Sequence, residues 1–162
     1  MNTNYDKIKS DLLDFGKRNG ACIGQYQRLY KAESIEDIIY VVKDNFEWYI
    51  QFKDFANVLI ANREQFAEYR IWINQNVEIQ EGVGFLLVTE GSINATSYGT
   101  STINAESWDT STINAESYGT STMVIHTLNI ECAVNDHSIA RYVYDNRIVI
   151  ADTSVTVEQY HK

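Results

Sequence analysis

Apolar and polar residues follow two different periods along this chain, and the change between them falls near residue 70. Before it, apolar residues recur every three or four positions, which is the spacing of one face of an α-helix. Residues 4–18 carry such a stripe, and the Asn19-Gly20 pair that follows is a typical helix stop. Ser34 and Asp37 form a loose capping box, with Asp in place of the usual Glu or Gln, at the start of another predicted helix. We therefore predict a compact helical module with an aromatic core over residues 1–70.

After residue 70 the apolar residues first alternate with polar ones, which predicts β-strands. A large apolar or aromatic residue then occupies every fifth position without a gap: Val83, Val88, Ile93, Tyr98, Ile103, Trp108, Ile113, Tyr118, Met123 and Leu128. A second series of Ala and Thr lies two residues further on, and positions two apart share one face of a strand. The pattern therefore predicts short strands separated by tight turns.

The repeat itself has a period of ten residues, because STINAES followed by an aromatic residue occurs twice within residues 101–122. A fixed short period is typical of a solenoid, in which each coil pairs with its neighbours. With ten residues per coil, each residue would stack on its own copy ~4.8 Å away. With twenty, the five-residue steps would form the four sides of a square coil. We favour ten residues, since the sequence repeat is ten residues long.

The predicted fold class is therefore α+β. An N-terminal helical capping module, residues 1–70, precedes a narrow C-terminal β-solenoid of about ten-residue coils, residues 71–162. The helices would cover the first coil, whose free edge would otherwise favour aggregation.

The five-residue step resembles that of pentapeptide-repeat proteins, whose square right-handed β-helix has Leu or Phe at a central position. That family places a small inward residue two positions before the centre, whereas here Glu106 precedes Trp108 and Glu116 precedes Tyr118. The tail ARYVYDNRIVIADTSVTVE, residues 140–158, is similar to degenerate six-residue β-helix repeats. Such repeats are common in uncharacterised bacterial and phage proteins, and the order of helical module and repeats also resembles these proteins.

The acidic residues are unevenly distributed. The net charge is −9, and residues 71–140 contain eight acidic residues but no Lys or Arg. We expect no direct nucleic-acid binding there, because a phosphate backbone requires cationic contacts. Such a negative surface also keeps a repetitive β-protein soluble and prevents stacking between sheet edges.

The sequence indicates a cytoplasmic protein. Its N-terminus lacks the basic and apolar segments of a secretory signal, and its apolar runs are shorter than the ~18 residues of a membrane span. Cys22 and Cys132 belong to no paired motif, so we expect two reduced and buried thiols.

No motif predicts an enzyme. The run ECAVNDH, residues 131–137, lacks a zinc-ligand spacing, and the histidines share no short motif. In the ten-residue coil, Glu106 and Glu116 would lie about one coil apart. Stacking of like charges raises one pKa, but a ladder on a solvated face does so without catalysis. We predict no catalytic residue, no metal site and no cofactor.

Two ladders could bind a partner. Ten-residue coils are too thin to hold Ile and an indole ring side by side, so Tyr98, Trp108 and Tyr118 are expected to form an outward stripe. The pairs Thr100-Thr102, Thr110-Thr112 and Thr120-Thr122 would form rows that resemble the surface of insect-type ice-binding solenoids.

Residues 71–140, which contain acidic residues but no Lys or Arg, favour a non-enzymatic interaction protein. Pentapeptide-repeat proteins resemble DNA, as do many acidic phage inhibitors. The resemblance implies a DNA-mimicking, anti-CRISPR- or anti-restriction-like inhibitor from a phage or mobile element, whose partner is a nucleic-acid-processing complex with a basic surface. The predicted partner-binding residues are Glu78, Glu81, Glu90, Glu106, Asp109, Glu116, Asp136, Tyr98, Trp108 and Tyr118. A lattice- or glycan-binding surface and a structural β-rod or homo-oligomer component are the alternatives.

Overall fold

The computed structural model describes residues 3–126, 130–144, 146–151 and 156–160. The chain divides into two compact units, Met1–Tyr69 and Arg70–Lys162. Helices form the first unit and strands form the second, so the predicted α+β class with a β-solenoid is confirmed. Within the described residues, no helix combines the length and the apolar character needed to cross a membrane.

The helices of the first unit are α1 Thr3–Arg18, α2 Ile23–Lys31, α3 Ile35–Asp44, α4 Phe46–Tyr49, α5 Phe55–Ala61 and α6 Arg63–Glu68. The predicted capping box is present at the start of α3. The amide N of Asp37 donates to Ser34 Oγ, and the amide N of Ser34 donates to Asp37 Oδ2, each at 3.1 Å. These two bonds satisfy amide groups that a helix start otherwise leaves unpaired.

The core of the first unit is aromatic, as predicted. Phe15 is fully buried at its centre. Its ring centroid lies 5.5–5.8 Å from those of Trp48, Tyr49, Phe52 and Phe55. Edge-to-face and tilted ring contacts add to the stabilisation from buried apolar area, so this cluster fixes the positions of α1, α4 and α5.

The second unit winds between two sheets. Its strands are β1 Ile71–Ile73, β2 Val77–Ile79, β3 Val83–Val88, β4 Ser92–Ser97, β5 Thr102–Ser107, β6 Thr112–Ser117, β7 Thr122–Ile125, β8 Ile130–Val134, β9 Ile139–Tyr142, β10 Arg147–Ile150 and β11 Thr156–Tyr160. Sheet A has the order β1-β3-β5-β7-β9-β10, and sheet B has the order β11-β8-β6-β4-β2. The coils β3–β4, β5–β6 and β7–β8 follow one another in parallel register.

Paired residues of successive coils are twenty positions apart within the repeats and 14 to 19 apart in the other parallel pairs, so the predicted ten-residue coil was wrong. Ile93 pairs with Ile113, and Thr102 pairs with Thr122. The ten-residue repeat is half a coil, namely one strand and one turn, and its two copies lie in opposite sheets. The reason is burial, since the apolar face of one strand needs a second apolar face opposite it. Coils with two strands provide this, and they have two sides rather than the four of a square coil.

The solenoid core contains the Ile and Ala members of the two series that the sequence placed on one strand face. Ile103 and Ala105 of sheet A and Ile113 and Ala115 of sheet B belong to one buried cluster, and none of them is more than 2% exposed. Small Ala residues beside Ile allow the two sheets to approach closely, so a narrow coil can bury its apolar side chains.

The turns between the repeated strands share the sequence aromatic-Gly/Asp-Thr-Ser. Gly99 and Asp109 have φ angles of 59° and 56°, in the left-handed region that Gly and Asp tolerate best. Each turn is closed by its serine. Ser101 Oγ donates to the Tyr98 carbonyl at 2.8 Å, and Ser121 Oγ donates to the Tyr118 carbonyl at 2.7 Å.

The C-terminal tail does not continue the parallel coils. β10 pairs with β9 and β11 pairs with β8, and both pairs are antiparallel. The similarity of residues 140–158 to further six-residue β-helix repeats therefore did not predict the arrangement. Residues 152–155 of this tail lie outside the described residues.

Candidate interaction surface

The outer face of sheet B is polar and largely exposed. Inward Ile and Ala alternate along β4 and β6 with the outward residues, as period-two strands require. We call this surface the polar face, and its residues are Glu78, Ser92, Asn94, Thr96, Thr112, Asn114 and Glu116. Sequence reasoning selected only its two glutamates, although the alternation within STINAES places the Ser or Thr, Asn and Glu positions together on the side opposite Ile and Ala.

The two glutamates of the polar face lie in one row across the sheet. Glu78 pairs with Thr96, and Thr96 pairs with Glu116. Neighbouring strands are ~4.8 Å apart, so the two glutamate backbones are separated by ~10 Å. Both side chains are exposed. The row therefore presents carboxylates at a spacing that the backbone fixes.

A row of asparagine amides runs beside the glutamates. Asn114 Nδ2 donates to Asn94 Oδ1 at 3.1 Å, and the Asn94 amide N donates to Asn76 Oδ1 at 2.8 Å. Asn104, the copy of these residues in β5, belongs to sheet A and therefore lies outside this row. The hydrogen bonds hold Asn94 and Asn114 in fixed orientations on the polar face.

One edge of the polar face carries two stacked tyrosines. The rings of Tyr98 and Tyr118 have centroids 5.2 Å apart and an interplanar angle of 12°. We call the exposed or half-buried residues Glu81, Tyr98, Tyr118 and Asp136 the tyrosine edge. They belong to the turns that follow strands of sheet B.

Carboxylates hold this edge together. Tyr118 Oη donates to Glu116 Oε2 at 2.9 Å, and the Gly119 amide N donates to Asp136 Oδ2 at 3.1 Å. The hydrogen bond to Glu116 raises the pKa of Tyr118, and the neighbouring charge of Asp136 adds to this shift. The phenol therefore stays neutral, while the carboxylates supply the negative charge of the edge.

The tryptophan lies on the opposite edge. Trp108 follows β5, a strand of sheet A, and its amide N donates to the Val88 carbonyl at 2.9 Å. Glu90 and Asp109 are exposed in the turns of the same edge. The expected stripe of three rings is therefore wrong, because a twenty-residue coil sends alternate aromatic residues to opposite edges. Of these three rings, Tyr98 and Tyr118 stack on each other and Trp108 lies apart from them.

Glu106 is not part of the exposed acidic surface. Its side chain is 6% exposed on sheet A, beside Leu87 of the neighbouring strand. Burial raises its pKa to about 8, and its Oε2 atom has no hydrogen-bond partner among the described residues. Glu106 and Glu116 lie in different sheets rather than one above the other, again because the coil has twenty residues.

The threonines do not form the predicted three-row array. Thr102 pairs with Thr122 in sheet A, whereas Thr112 pairs with Ser92 in sheet B. Thr100, Thr110 and Thr120 lie in turns, which alternate between the two edges. The hydroxyls are thus divided among several surfaces and form no flat lattice of three rows.

The described arginines of the second unit lie in strands of sheet A or directly before its first strand in the chain. Arg70 precedes β1, and its guanidinium donates to the Glu81 backbone carbonyl at the tyrosine edge. Arg141 lies in β9, and Arg147 lies in β10 with its guanidinium 4.1 Å from the Tyr142 ring centroid. The described strands of sheet B contain neither Lys nor Arg, and neither do the turns that directly follow β2, β4, β6 and β8. The exposed charges of the polar face are therefore all negative, and further exposed carboxylates lie on both edges, Glu81 and Asp136 on one and Glu90 and Asp109 on the other.

Groups for metal chemistry are not gathered anywhere in the described part of the chain, where no cluster of three or more His, Cys, Asp or Glu could hold a metal ion. Cys132 is buried in the solenoid core, whereas Cys22 is exposed, contrary to expectation. Comparison with family models, curated proteins and solved structures found no match for this chain.

Proposed function

We propose that this protein is a non-enzymatic interaction module that binds a basic surface of a protein partner through the polar face and the tyrosine edge. The observation that carries the proposal is the segregation of charge in the second unit. Four exposed carboxylates surround sheet B, at Glu78, Glu81, Glu116 and Asp136, and no described strand of that sheet contains Lys or Arg.

Such a surface would act first on the rate of association. Clustered charges of one sign steer an oppositely charged partner and increase the association rate at low salt. The field weakens over about a Debye length, ~8 Å at physiological ionic strength. Binding is therefore expected to weaken steeply as salt is added.

The stacked tyrosines would supply the contact area. Tyrosine is enriched at protein interfaces because it presents a large ring and one polar group at little cost in conformational entropy. The stack and the Glu116 hydrogen bond hold Tyr118 in place before a partner arrives. Preorganisation of this kind reduces the entropy lost on binding.

The partner that fits this chemistry is a complex with a phosphate-binding cleft. A cleft that binds nucleic acid uses Lys and Arg to contact phosphates, and a row of carboxylates on a sheet face can bind the same cations. This supports a DNA-mimicking inhibitor of a nucleic-acid-processing complex, of the anti-CRISPR or anti-restriction kind made by phages and mobile elements. Such an inhibitor would act in the cytoplasm.

Competition with DNA tests this proposal. The immobilised protein is exposed to a lysate of its source host, and retained proteins are then eluted with a short DNA duplex at constant salt. We expect a nucleic-acid-processing protein to be released by the duplex. A retained partner that the duplex does not displace would contradict mimicry, and a partner without a basic surface would contradict the acidic interaction module itself.

Self-association is the second candidate, and strand β10 favours it. This strand is the last of sheet A in the described chain, and Ile148 and Ile150 are 61% and 65% exposed. Exposed β-branched residues on an edge strand favour pairing with another chain. A structural β-rod or homo-oligomer would use this edge and leave the polar face in solvent.

A further inference from the structure

We propose that the helical unit binds a small, neutral, planar aromatic molecule in a cavity between α1, α2 and α4. The cavity has a volume of about 250 Å³ and is lined only by residues of this unit. It lies at the C-terminal end of α1, beside one face of α2 and the aromatic residues of α4. This site shares no residue with the polar face, and the proposal does not depend on the interaction function.

Ring contacts support the aromatic wall of the cavity. Trp48 is half-buried, and its ring centroid lies 5.7, 5.0 and 5.1 Å from those of Phe15, Tyr49 and Phe52. Tyr26 lines the cavity from α2. Side chains held in this way need little reordering when a ligand enters, and rings are favourable partners for another planar ring.

The lining selects against charged ligands. All its side chains are neutral, including the buried Tyr49 phenol, whose pKa is raised to about 12 by burial. An ionised ligand would lose hydration without gaining an opposite charge. The amide of Asn45 offers directional contact, since its Nδ2 donates to the Val41 carbonyl at 2.7 Å and its oxygen remains the acceptor group. A neutral ring that carries an N–H or O–H donor fits this chemistry.

The volume limits the ligand to about two rings. An apolar cavity of ~150 Å³ can hold benzene, whereas drug-sized ligands occupy ~300 Å³ or more. A cavity of about 250 Å³ lies between these sizes. Indole, which is bicyclic and neutral and has one N–H donor, is therefore a suitable probe.

A matched pair of glycines allows a specific test. Gly16 lies within α1 and lines the cavity, and an added Cβ would lie 3.4 Å from Ala21 Cβ and 3.6 Å from a Tyr26 ring carbon. Gly24 lies within α2, where an added Cβ meets nothing within 4 Å. Both replacements by Ala favour the helix, but only Gly16→Ala adds a methyl group to the cavity lining.

Indole is titrated into the full-length wild type and both variants, and the Nε1–H resonance of Trp48 is followed by NMR after assignment with a Trp48→Phe variant. We expect saturable binding to wild type and Gly24→Ala, and binding weakened about four-fold or more in Gly16→Ala, as loss of one methylene-sized volume implies. Indole-2-carboxylate should bind none of the three. Absence of a saturable shift in the wild type, equal affinity of both variants, or equal binding of the carboxylate would overturn the proposal.

Discussion

Glu106 and Glu116 lie on the outer faces of opposite sheets, one buried at 6% exposure and the other exposed to solvent. Both occupy the same position of an identical TINAES strand, β5 in one case and β6 in the other. Their neighbours also differ, since Glu106 pairs with the fully buried Leu87 whereas Glu116 pairs with the half-buried Thr96. Because the local sequence is identical, the different exposure of the two carboxyl groups arises from their surroundings in the fold.

The first prediction concerns pH. Burial raises the pKa of Glu106 to about 8 from 4.5. The unfolded chain thus loses this proton at lower pH than the folded chain does, so the Glu106 contribution to the free energy of unfolding falls as pH rises from about 4.5 to about 8. The Glu106→Gln variant has no carboxyl group to ionise here, so this decrease in the free energy of unfolding is absent. Relative to wild type, we expect little change at pH 4 and stabilisation at pH 9, with an upper limit of about 5 kcal/mol.

Urea unfolding at several pH values measures this difference. Glu116→Gln is the matched control, since it makes the same chemical change in the same sequence on the exposed sheet. A Glu106→Gln stability that runs parallel to wild type at every pH would show that this carboxyl is not buried in the folded protein.

The second prediction concerns coil length. Asn94 and Asn114 are paired on neighbouring parallel strands, where Cα atoms lie ~4.8 Å apart, within the range of a disulfide. In a Cys22→Ser background, Asn94→Cys with Asn114→Cys should oxidise to an intramolecular disulfide. Asn104→Cys with Asn114→Cys should not, because these residues belong to different sheets.

Non-reducing electrophoresis and mass spectrometry distinguish the two pairs. A disulfide in the Asn104/Asn114 pair but not in the Asn94/Asn114 pair would contradict the twenty-residue coil and support the ten-residue coil.

The third prediction concerns the close stacking of the turns. Gly91 and Gly99 have φ angles of 75° and 59°, so Ala at either position carries backbone strain. An added Cβ at Gly91 meets nothing within 4 Å, whereas at Gly99 it would lie 2.8 Å from the Gln80 carbonyl oxygen. We expect Gly91→Ala to cost about 1 kcal/mol and Gly99→Ala at least about 2 kcal/mol more. Chemical denaturation measures both, and equal losses would mean that the turns are not in contact.

The fourth prediction concerns the edge of sheet A. If β10 associates with a second copy, replacing both Ile148 and Ile150 by Lys should abolish concentration-dependent self-association, because charges on an edge strand oppose pairing. Light scattering coupled to size exclusion measures the mass. Ile60→Lys, at a residue 53% exposed in the helical unit, is the control. A wild type that remains monomeric at all concentrations would exclude this candidate function.

Local signals in the sequence predicted local structure well. The Ser34–Asp37 capping box depends on residues three apart, and the shared face of Ile103 and Ala105 follows from strand alternation alone. Both features were predicted and are present. The stop at Asn19-Gly20 likewise lies directly after α1, with Gly20 at a φ of 71°.

Long-range pairing could not be predicted in the same way. Two identical half-coils give the same local pattern whether a strand stacks on the copy ten residues away or on the one twenty away, so the register depends on which sheets bury each other. The division of Tyr98 and Tyr118 from Trp108 follows from that choice, and so does the division of Glu116 from Glu106. The burial of Glu106 and the antiparallel tail are not encoded in the repeat pattern. Correct placement of the candidate site therefore required the fold.

The central claim is that the acidic residues around sheet B form the binding surface, and two charge-reversal variants test it. One replaces Glu78, Glu81 and Asp136 by Lys, and the other replaces Asp14, Glu33 and Glu64, which are exposed in the helical unit. Each replacement adds two positive charges, so both variants change from −9 to −3. The two proteins thus differ in where the charge is changed and not in how much.

The decisive measurement is capture from host lysate on wild type and both variants, at low and high salt. We predict that wild type and the helical-unit variant retain the same nucleic-acid-processing protein in stoichiometric amount at low salt and release it at high salt. The sheet B variant should retain none. Equal retention by the sheet B variant, equal loss from both variants, or an empty wild-type column would contradict the account.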